Sequence, residues 1–239
     1  NVMPAGVLSL VCGNAYDLVD HVQWADVIAF TGGAETADRI RRHPQVLASG
    51  AAVNIEADSL NATILVPGAK DATYDAFIRD VAREMTQKAG QKCTATRRIM
   101  VPEGKVDEFV DDVSERLNQT VVGDPGLEGV HMGPLSTAAQ VKSAHEGIAA
   151  LRAEAEVVYG QLDGGQYKGV SDGKGYFLSP LMLRATAGHE GQAVHDIEVF
   201  GPVSTILPYD GEVESACDLV RRGQGGLVAS IYGDDRDFL

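Results

Sequence analysis

Cys93 lies in a short segment whose residue types suit a nucleophile. The segment reads Gly90-Gln91-Lys92-Cys93-Thr94-Ala95, with a basic residue before the cysteine and a hydroxyl residue after it. A thiol attacks as its thiolate, and it needs solvent access, nearby positive potential and N–H donors for the oxyanion that forms. A lone cysteine is more often a small buried hydrophobe. Position alone therefore leaves two interpretations of Cys93 open, a nucleophile or a packing residue.

A second chemical feature is the glycine pair in Thr31-Gly32-Gly33. It follows the apolar run Val27-Ile28-Ala29-Phe30 and precedes a helical pattern over residues 34–40. A strand that passes through glycine into a helix N-terminus presents free backbone N–H groups and the positive end of the helix dipole to an anion. The glycines could equally serve only the backbone angles of the turn. The pattern predicts an anion site or a plain turn.

The surrounding elements predict an α/β fold. Strand patterns at 7–11, 27–30, 52–56 and 62–66 alternate with helical stretches, which is typical of βαβ units in a parallel sheet. After Pro67-Gly68 the apolar residues between Tyr74 and Met85 recur at helical spacing, and Gly90 is the predicted C-cap. Cys93 is thus expected in a turn just beyond a helix. Further strands are predicted at 98–101, 157–159, 203–207 and 227–231, and further helices at 106–117 and 140–151.

Composition excludes several classes of partner. The 239 residues carry 34 acidic and 20 basic side chains, a net charge of −14, which repels nucleic acid and anionic lipid. No apolar run is long enough to cross a bilayer and no basic leader precedes one, so a cytoplasmic protein without membrane contact is predicted. The three cysteines are far apart, which argues against a disulfide framework. No metal is predicted, because none of the six histidines lies with another His, Cys or carboxylate at ligand spacing on a helix: His21, His43, His131, His145, His189 and His195.

Four stretches, in the same order along the chain, resemble motifs of the aldehyde dehydrogenase superfamily. Residues 90–95 resemble its Gly-Gln-x-Cys motif, and Phe30-Thr31-Gly32-Gly33 is similar to its Phe-Thr-Gly-Ser cofactor turn. Residues 53–61 stand where that family has Glu-Leu-Gly-Gly-Lys-Ser-Pro-Asn. The fourth stretch, Glu198-Val199-Phe200-Gly201-Pro202-Val203, resembles Glu-x-Phe-Gly-Pro-Val. The resemblance runs from Pro4 to about Asp234 and implies a Rossmann-like cofactor domain followed by an α/β catalytic domain.

The residues of three segments resemble one subgroup of that family in particular. Residues 53–61, the run Arg83-Glu84-Met85-Thr86 and the run Thr96-Arg97-Arg98 resemble enzymes that oxidise CoA-linked semialdehydes. That subgroup includes the dehydrogenase domain of the bifunctional phenylacetate-degradation enzyme (oxepin-CoA hydrolase and semialdehyde dehydrogenase) and its relative in the benzoyl-CoA pathway. The resemblance implies oxidation of a small aldehyde, CoA-linked and from phenylacetate degradation, with NADP or NAD as cofactor.

The resemblance also assigns roles to residues. Cys93 adds to the aldehyde, its own N–H and an asparagine side chain hold the oxyanion, and hydride leaves for the nicotinamide. Glu56 is the expected base for hydrolysis of the thioester, although a gapless match would place Asn54 there, and an amide cannot accept that proton. The alternative for Glu56 is a salt-bridged or capping residue.

The expected cofactor residues are Glu198, Phe200 and the turn at 31–33. Glu198 accepts hydrogen bonds from the nicotinamide ribose, Phe200 packs beside it, and Thr31, Gly32 and Gly33 line the pyrophosphate. The sequence departs from the family pattern at Gly33, which replaces a hydroxyl residue, and at Ala37, which replaces a glycine. The missing hydroxyl leaves only backbone N–H donors for the phosphate, and the added methyl group at Ala37 affects how closely the cofactor approaches the helix.

The resemblance implies two domains, residues 1–66 as the end of the NAD(P)-binding domain and 67–239 as the catalytic domain, truncated at its C-terminus. A fragment is expected, with the oxyanion asparagine, the adenosine-binding strand and an oligomerisation segment upstream, and the intact parent is expected to be a homo-oligomer. Two other functions stay open: a dehydrogenase that passes the acyl group to coenzyme A, and a structural or cofactor-binding module without turnover.

Overall fold

The computed structural model of the protein describes residues 3–13, 16–162, 165–186 and 191–238. Within them the chain divides into two compact units, and the division falls between Asp58 and Ser59. The boundary predicted from the sequence lies after residue 66. The difference concerns residues 59–66, which contain a strand that is hydrogen-bonded into the sheet of the second unit.

The first unit contains one βαβ arrangement. Strands β1 (Val27–Gly32) and β2 (Ala52–Ala57) are parallel, and helices α1 (Ala34–Arg41) and α2 (Pro44–Ser49) connect them. A 3₁₀ turn at Tyr16–His21 precedes β1. The predicted strands at 27–30 and 52–56 and the helix at 34–40 are therefore confirmed.

The predicted strand at 7–11 is wrong. Residues 7–11 have no regular structure, and their apolar side chains lie open to solvent, Leu10 being 89% exposed. A β-branched run forms a strand only where a neighbouring strand offers hydrogen bonds and packing. No strand of the described residues pairs with this segment.

The second unit is built on one six-stranded sheet in the order β5-β6-β7-β4-β3-β8. All neighbouring strands are parallel except β5 and β6. The strands are β3 (Ala62–Leu65), β4 (Arg98–Pro102), β5 (Ala155–Tyr159), β6 (Leu181–Ala185), β7 (Val203–Tyr209) and β8 (Ala229–Tyr232). The helices are α3 (Asp71–Thr86), α4 (Val106–Asn118), α5 (Ala138–Leu151), α6 (Ala193–Asp196) and α7 (Val213–Arg222).

Helical periodicity explains the packing of α3 and α4. The residues that α3 buries include Phe77, Val81 and Met85, and α4 buries Phe109 among others, with the rings of Phe77 and Phe109 5.2 Å apart. The predicted apolar stripe is thus the core face of α3. The α-helix ends at Thr86, and Gly90 closes a 3₁₀ turn that follows it. No helix of the described residues is long and apolar enough to cross a membrane.

Arg98, the first residue of β4, is buried and forms hydrogen bonds with several buried polar groups. Its guanidinium donates to the carbonyl of Leu60 from Nε (3.0 Å) and Nη2 (2.8 Å), and to the carbonyl of Leu219 from Nη1 (2.6 Å). Nη1 also lies 3.1 Å from Nδ1 of His195. Burial, together with the positive charges of Arg222 and Arg98, lowers the pKa of His195 to about 4, although Asp196 and Glu154 oppose that shift.

His195 should therefore weaken the fold in acid. Because the pKa of His195 is below its ordinary value of 6.5, the unfolded chain binds the proton more tightly. The free energy of unfolding should rise with pH between about 4 and 6.5, and its loss on acidification should reach about 3 kcal/mol. Urea unfolding across this range should show a flatter pH profile for His195→Gln. A His195→Gln profile as steep as that of the wild type would contradict the assignment.

Candidate functional site

The segment around Cys93 forms an exposed loop between the 3₁₀ turn at Gln87–Gly90 and β4. The Cys93 thiol is exposed to solvent, whereas Ala95, two residues on, is fully buried. The backbone N–H of Cys93 has no acceptor among the described residues. The loop thus presents a sulfur and a free N–H donor together, as addition to a carbonyl requires.

The side chain of Asn61 fixes this loop through hydrogen bonds to its backbone. Its Nδ2 donates to the carbonyl of Cys93 at 2.8 Å and to that of Ala95 at 2.9 Å. Its Oδ1 accepts from the N–H of Leu227 (3.0 Å) and Val228 (2.9 Å), the two residues that precede β8. The side chain is buried and uses both donors and its acceptor, so it fixes the carbonyls on either side of Thr94.

Gly90 brings the loop against a second segment. A Cβ at position 90 would clash with the backbone of Gly201 and Pro202, and φ is +68°. Lys88 and Ala89 also have left-handed φ angles, 54° and 52°. Non-glycine residues avoid that region at a cost of about 1 kcal/mol each, so the surrounding contacts must hold this turn in place.

Gln91 adds side-chain bonds to the same contact. Its Nε2 donates to the carbonyl of Phe200 (3.3 Å) and to Oε1 of Gln140 (3.2 Å). Its Oε1 accepts from the N–H of Ser136 (2.9 Å). The residues around Cys93 are thereby joined to the segment 198–202.

Arg97 and Glu198 form a buried ion pair at this contact. Arg97 Nε lies 3.2 Å from Glu198 Oε1, and the side chains are 4% and 7% exposed. Glu198 Oε2 accepts from the N–H of Ser59 at 3.0 Å. Burial lowers the pKa of Arg97, and the negative charge of Glu198 counteracts that shift. Two of the predicted cofactor residues, Glu198 and Phe200, therefore lie in the same cluster of contacts as the Cys93 loop.

Lys92 contributes less positive potential at Cys93 than its position suggests. Its Nζ lies 2.7 Å from Glu84 Oε1 and 2.9 Å from Gln87 Oε1. The ammonium charge is therefore largely neutralised by Glu84. Of the three features expected around a nucleophilic thiol, Cys93 therefore has solvent access and a backbone N–H donor, whereas the nearby cation is paired with a carboxylate.

In the first unit, the turn at 31–33 and Glu56 lie side by side. Thr31 of β1 is the register partner of Glu56 of β2, and Thr31, Gly32, Gly33 and Glu56 are all exposed. Asn54 is exposed on the same face of β2 as Glu56, as strand alternation requires. The two candidates for the base are therefore equally open to solvent, and the choice between them depends on chemistry, since only the carboxylate accepts a proton.

The N-terminus of α1 already has an acidic neighbour. Gly33 is the N-cap and has no side chain to bond the helix, but Ala34 N–H donates to Asp58 Oδ1 at 3.2 Å. A carboxylate is favourable at this end of a helix. Asp58 thus accepts a hydrogen bond from one of the N–H groups that were predicted to bind an anion. The sequence pattern alone does not show this contact.

No group of three or more His, Cys, Asp or Glu side chains in the described part of the chain could hold a metal ion. His195 is buried against Arg98, as given above, and His189 lies outside the described residues.

Comparison with known proteins identifies the family. The model of the aldehyde dehydrogenase family matches residues 2–238. A 3,4-dehydroadipyl-CoA semialdehyde dehydrogenase of Aromatoleum evansii is 46% identical over the whole chain, which covers 46% of that protein. A geranial dehydrogenase of Castellaniella defragrans is 30% identical over 98% of the chain and 47% of its own length.

Solved structures give the same fold. The NADP complex of an NADP-dependent glyceraldehyde-3-phosphate dehydrogenase from Bacillus halodurans aligns with a TM-score of 0.73 and 26% identity, over 95% of this chain and 44% of that one. A point mutant of betaine aldehyde dehydrogenase from Staphylococcus aureus, in complex with NAD+, has a TM-score of 0.77 at 22% identity, over 89% and 41% of the two chains. The chain spans about half the length of the curated relatives that it matches. With a family model that matches nearly every residue, the chain belongs to the aldehyde dehydrogenase family.

Proposed function

We propose that the protein carrying this chain oxidises an aldehyde to a carboxylic acid with NAD or NADP, and that Cys93 is its nucleophile. The observation that supports this most is the exposed Cys93, in a loop whose carbonyls are bonded by Asn61 and whose preceding residues Gly90 and Gln91 contact the segment 200–202. A packing cysteine would be buried instead.

The chemistry assigned to Cys93 begins with its thiolate. The sulfur adds to the aldehyde carbon, and the free N–H of Cys93 donates to the oxygen that becomes negative. Bound NAD(P) supplies the hydride acceptor. The acyl group is then left on Cys93 as a thioester, and Glu56 takes a proton from the water that hydrolyses it.

The residues present fit a nicotinamide cofactor. Glu198 is fixed through both oxygens, yet each carboxylate oxygen has more than one acceptor site, so it can still accept from ribose hydroxyls. Phe200 would pack beside the ribose. Thr31, Gly32 and Gly33 would meet the pyrophosphate, and the Asp58 carboxylate would have to turn away from Ala34, as an exposed side chain can.

The two compact units receive separate tasks in this proposal. The first unit, up to Asp58, is assigned to the cofactor-binding domain, and the second unit, from Ser59 onward, to the catalytic domain with Cys93, so the boundary falls eight residues before the one predicted from the sequence. This assignment is supported by the exposed glycine turn in the first unit and the exposed thiol in the second.

The proposed substrate is a CoA-linked semialdehyde from the breakdown of an aromatic acid such as phenylacetate. The support is the 46% identity with the Aromatoleum evansii enzyme, whose name specifies a CoA-linked semialdehyde, and the resemblance of residues 53–61, 83–86 and 96–98 to the subgroup described in the sequence analysis.

A substrate comparison tests this proposal. The protein should form NADH or NADPH, followed by absorbance, with kcat/KM about tenfold or more higher for an aliphatic CoA-linked semialdehyde than for the free aldehyde of equal chain length, because the CoA part contributes binding energy. Equal values for the two substrates would contradict the CoA-linked proposal, and absence of reduced cofactor with either aldehyde would contradict the oxidation itself.

A further inference from the structure

Arg97 lies where the motif segments of the second unit meet. Beyond its pairing with Glu198, its Nη1 donates to the carbonyl of Gly201 and its Nη2 to the carbonyl of Gly90, each at 2.8 Å. Its Cζ lies 5.5 Å from the centroid of the Phe200 ring. One side chain thus contacts Glu198, Phe200 and the turn that leads to Cys93.

The geometry of these contacts calls for arginine. The guanidinium is planar and carries five donors in fixed directions, so it can bond one carboxylate and two carbonyls while its charge lies over an aromatic ring. A lysine ammonium is a point charge that keeps the attraction to Glu198 and loses the fixed arrangement. Removal of the charge would leave Glu198 nearly enclosed without its cation, which is unfavourable for the ionised form.

We propose that Arg97 is a positioning residue of the reaction, which holds Glu198 and Phe200 in the orientation that binds the nicotinamide ribose while it fixes the turn before Cys93. This inference rests on the proposed function, because it takes Glu198 and Phe200 to be cofactor residues. It predicts an effect on cofactor binding that a merely structural arginine would not have.

The neighbouring Arg98 is a matched control. It is equally buried, and its bonds go to Leu60, Leu219, Val220 and His195, none of which is an expected site residue. Loss of either guanidinium leaves buried carbonyls unpaired and should lower thermal stability. Of these two arginines, Arg97 is the one that contacts Glu198 and Phe200.

The experiment compares Arg97→Lys, Arg97→Gln, Arg98→Lys and Arg98→Gln in the protein that carries this chain. For Arg97→Gln, both the KM for NAD(P) and the Kd for NADPH or NADH by fluorescence titration should rise about 10- to 100-fold, while the KM for the aldehyde stays within a factor of about 3. Arg97→Lys should recover part of the loss, and it serves as the test if the Gln variant does not fold. The Arg98 variants should melt at lower temperature with cofactor constants close to those of the wild type.

The outcomes separate this inference from the function on which it rests. A wild-type protein that neither binds NAD(P)H nor oxidises aldehydes would overturn the proposed function and, with it, the role of Arg97. An active wild type in which Arg97 and Arg98 variants show the same cofactor Kd at matched stability would overturn the positioning role alone.

Discussion

Cys93→Ser should lower kcat/KM for aldehyde oxidation by about 10⁴-fold or more, because an un-ionised serine hydroxyl is a far weaker nucleophile than a thiolate. Cys93 is exposed, and the side chain of Asn61 holds its loop through backbone carbonyls, so the substitution should leave the fold intact. The measurement is the steady-state rate of NAD(P)H formation, with thermal unfolding to confirm that the variant is folded.

The other cysteines provide matched controls for this prediction. Cys12 and Cys217 are also exposed and free. Cys12→Ser and Cys217→Ser should retain activity within a factor of about 2, since surface substitutions are mostly tolerated. Full activity in folded Cys93→Ser would contradict the assignment of the nucleophile.

Glu56→Gln should separate the two halves of the reaction. Loss of the general base should slow thioester hydrolysis about 10²- to 10⁴-fold. The first turnover does not need that base, so a burst of one NAD(P)H per active site should persist and the steady state should nearly vanish. Rapid-mixing absorbance measurements would resolve the burst from the slow phase.

Asn54 supplies the control for Glu56, since it is exposed on the same face of β2. Asn54→Ala should change the steady-state rate by less than about threefold, because an amide does not take the proton. If free coenzyme A restores turnover of Glu56→Gln, the acyl group passes to the thiol of CoA instead of water. Unchanged turnover of Glu56→Gln without CoA would exclude Glu56 as the base.

The sequence predicted much of the architecture because local patterns and the fold agree. The stripe between Tyr74 and Met85 is apolar at helical spacing, and α3 buries that face. The glycine turn after β1 and the turn around Cys93 lie where strand and helix patterns end. The failures have a physical cause: residues 7–11 are apolar but have no paired strand, and the helix at 213–222 was missed although one of its faces is apolar.

The residues that support the site could not be predicted from patterns. Asn61 bonds Cys93 across 32 residues of sequence, and Arg97 bonds Glu198 across 101. The order of the strands in the sheet determines which of these residues meet. The spacing of residues along the chain does not specify that order. A sequence signal did exist, since Asn61 directly precedes the buried β3, Arg97 directly precedes the buried β4 and Arg98 begins it, and buried polar groups require partners. Homo-oligomerisation and a cytoplasmic location stay predictions from the sequence.

The most direct test of the account is to identify the residue that carries the acyl group. Glu56→Gln should be mixed with an aldehyde and NAD(P), quenched in acid, digested and analysed by mass spectrometry. The account predicts the acyl mass on the peptide that contains Cys93, in an amount equal to the NAD(P)H burst. An acyl mass on Cys12 or Cys217, or reduced cofactor without any acylated peptide, would contradict it.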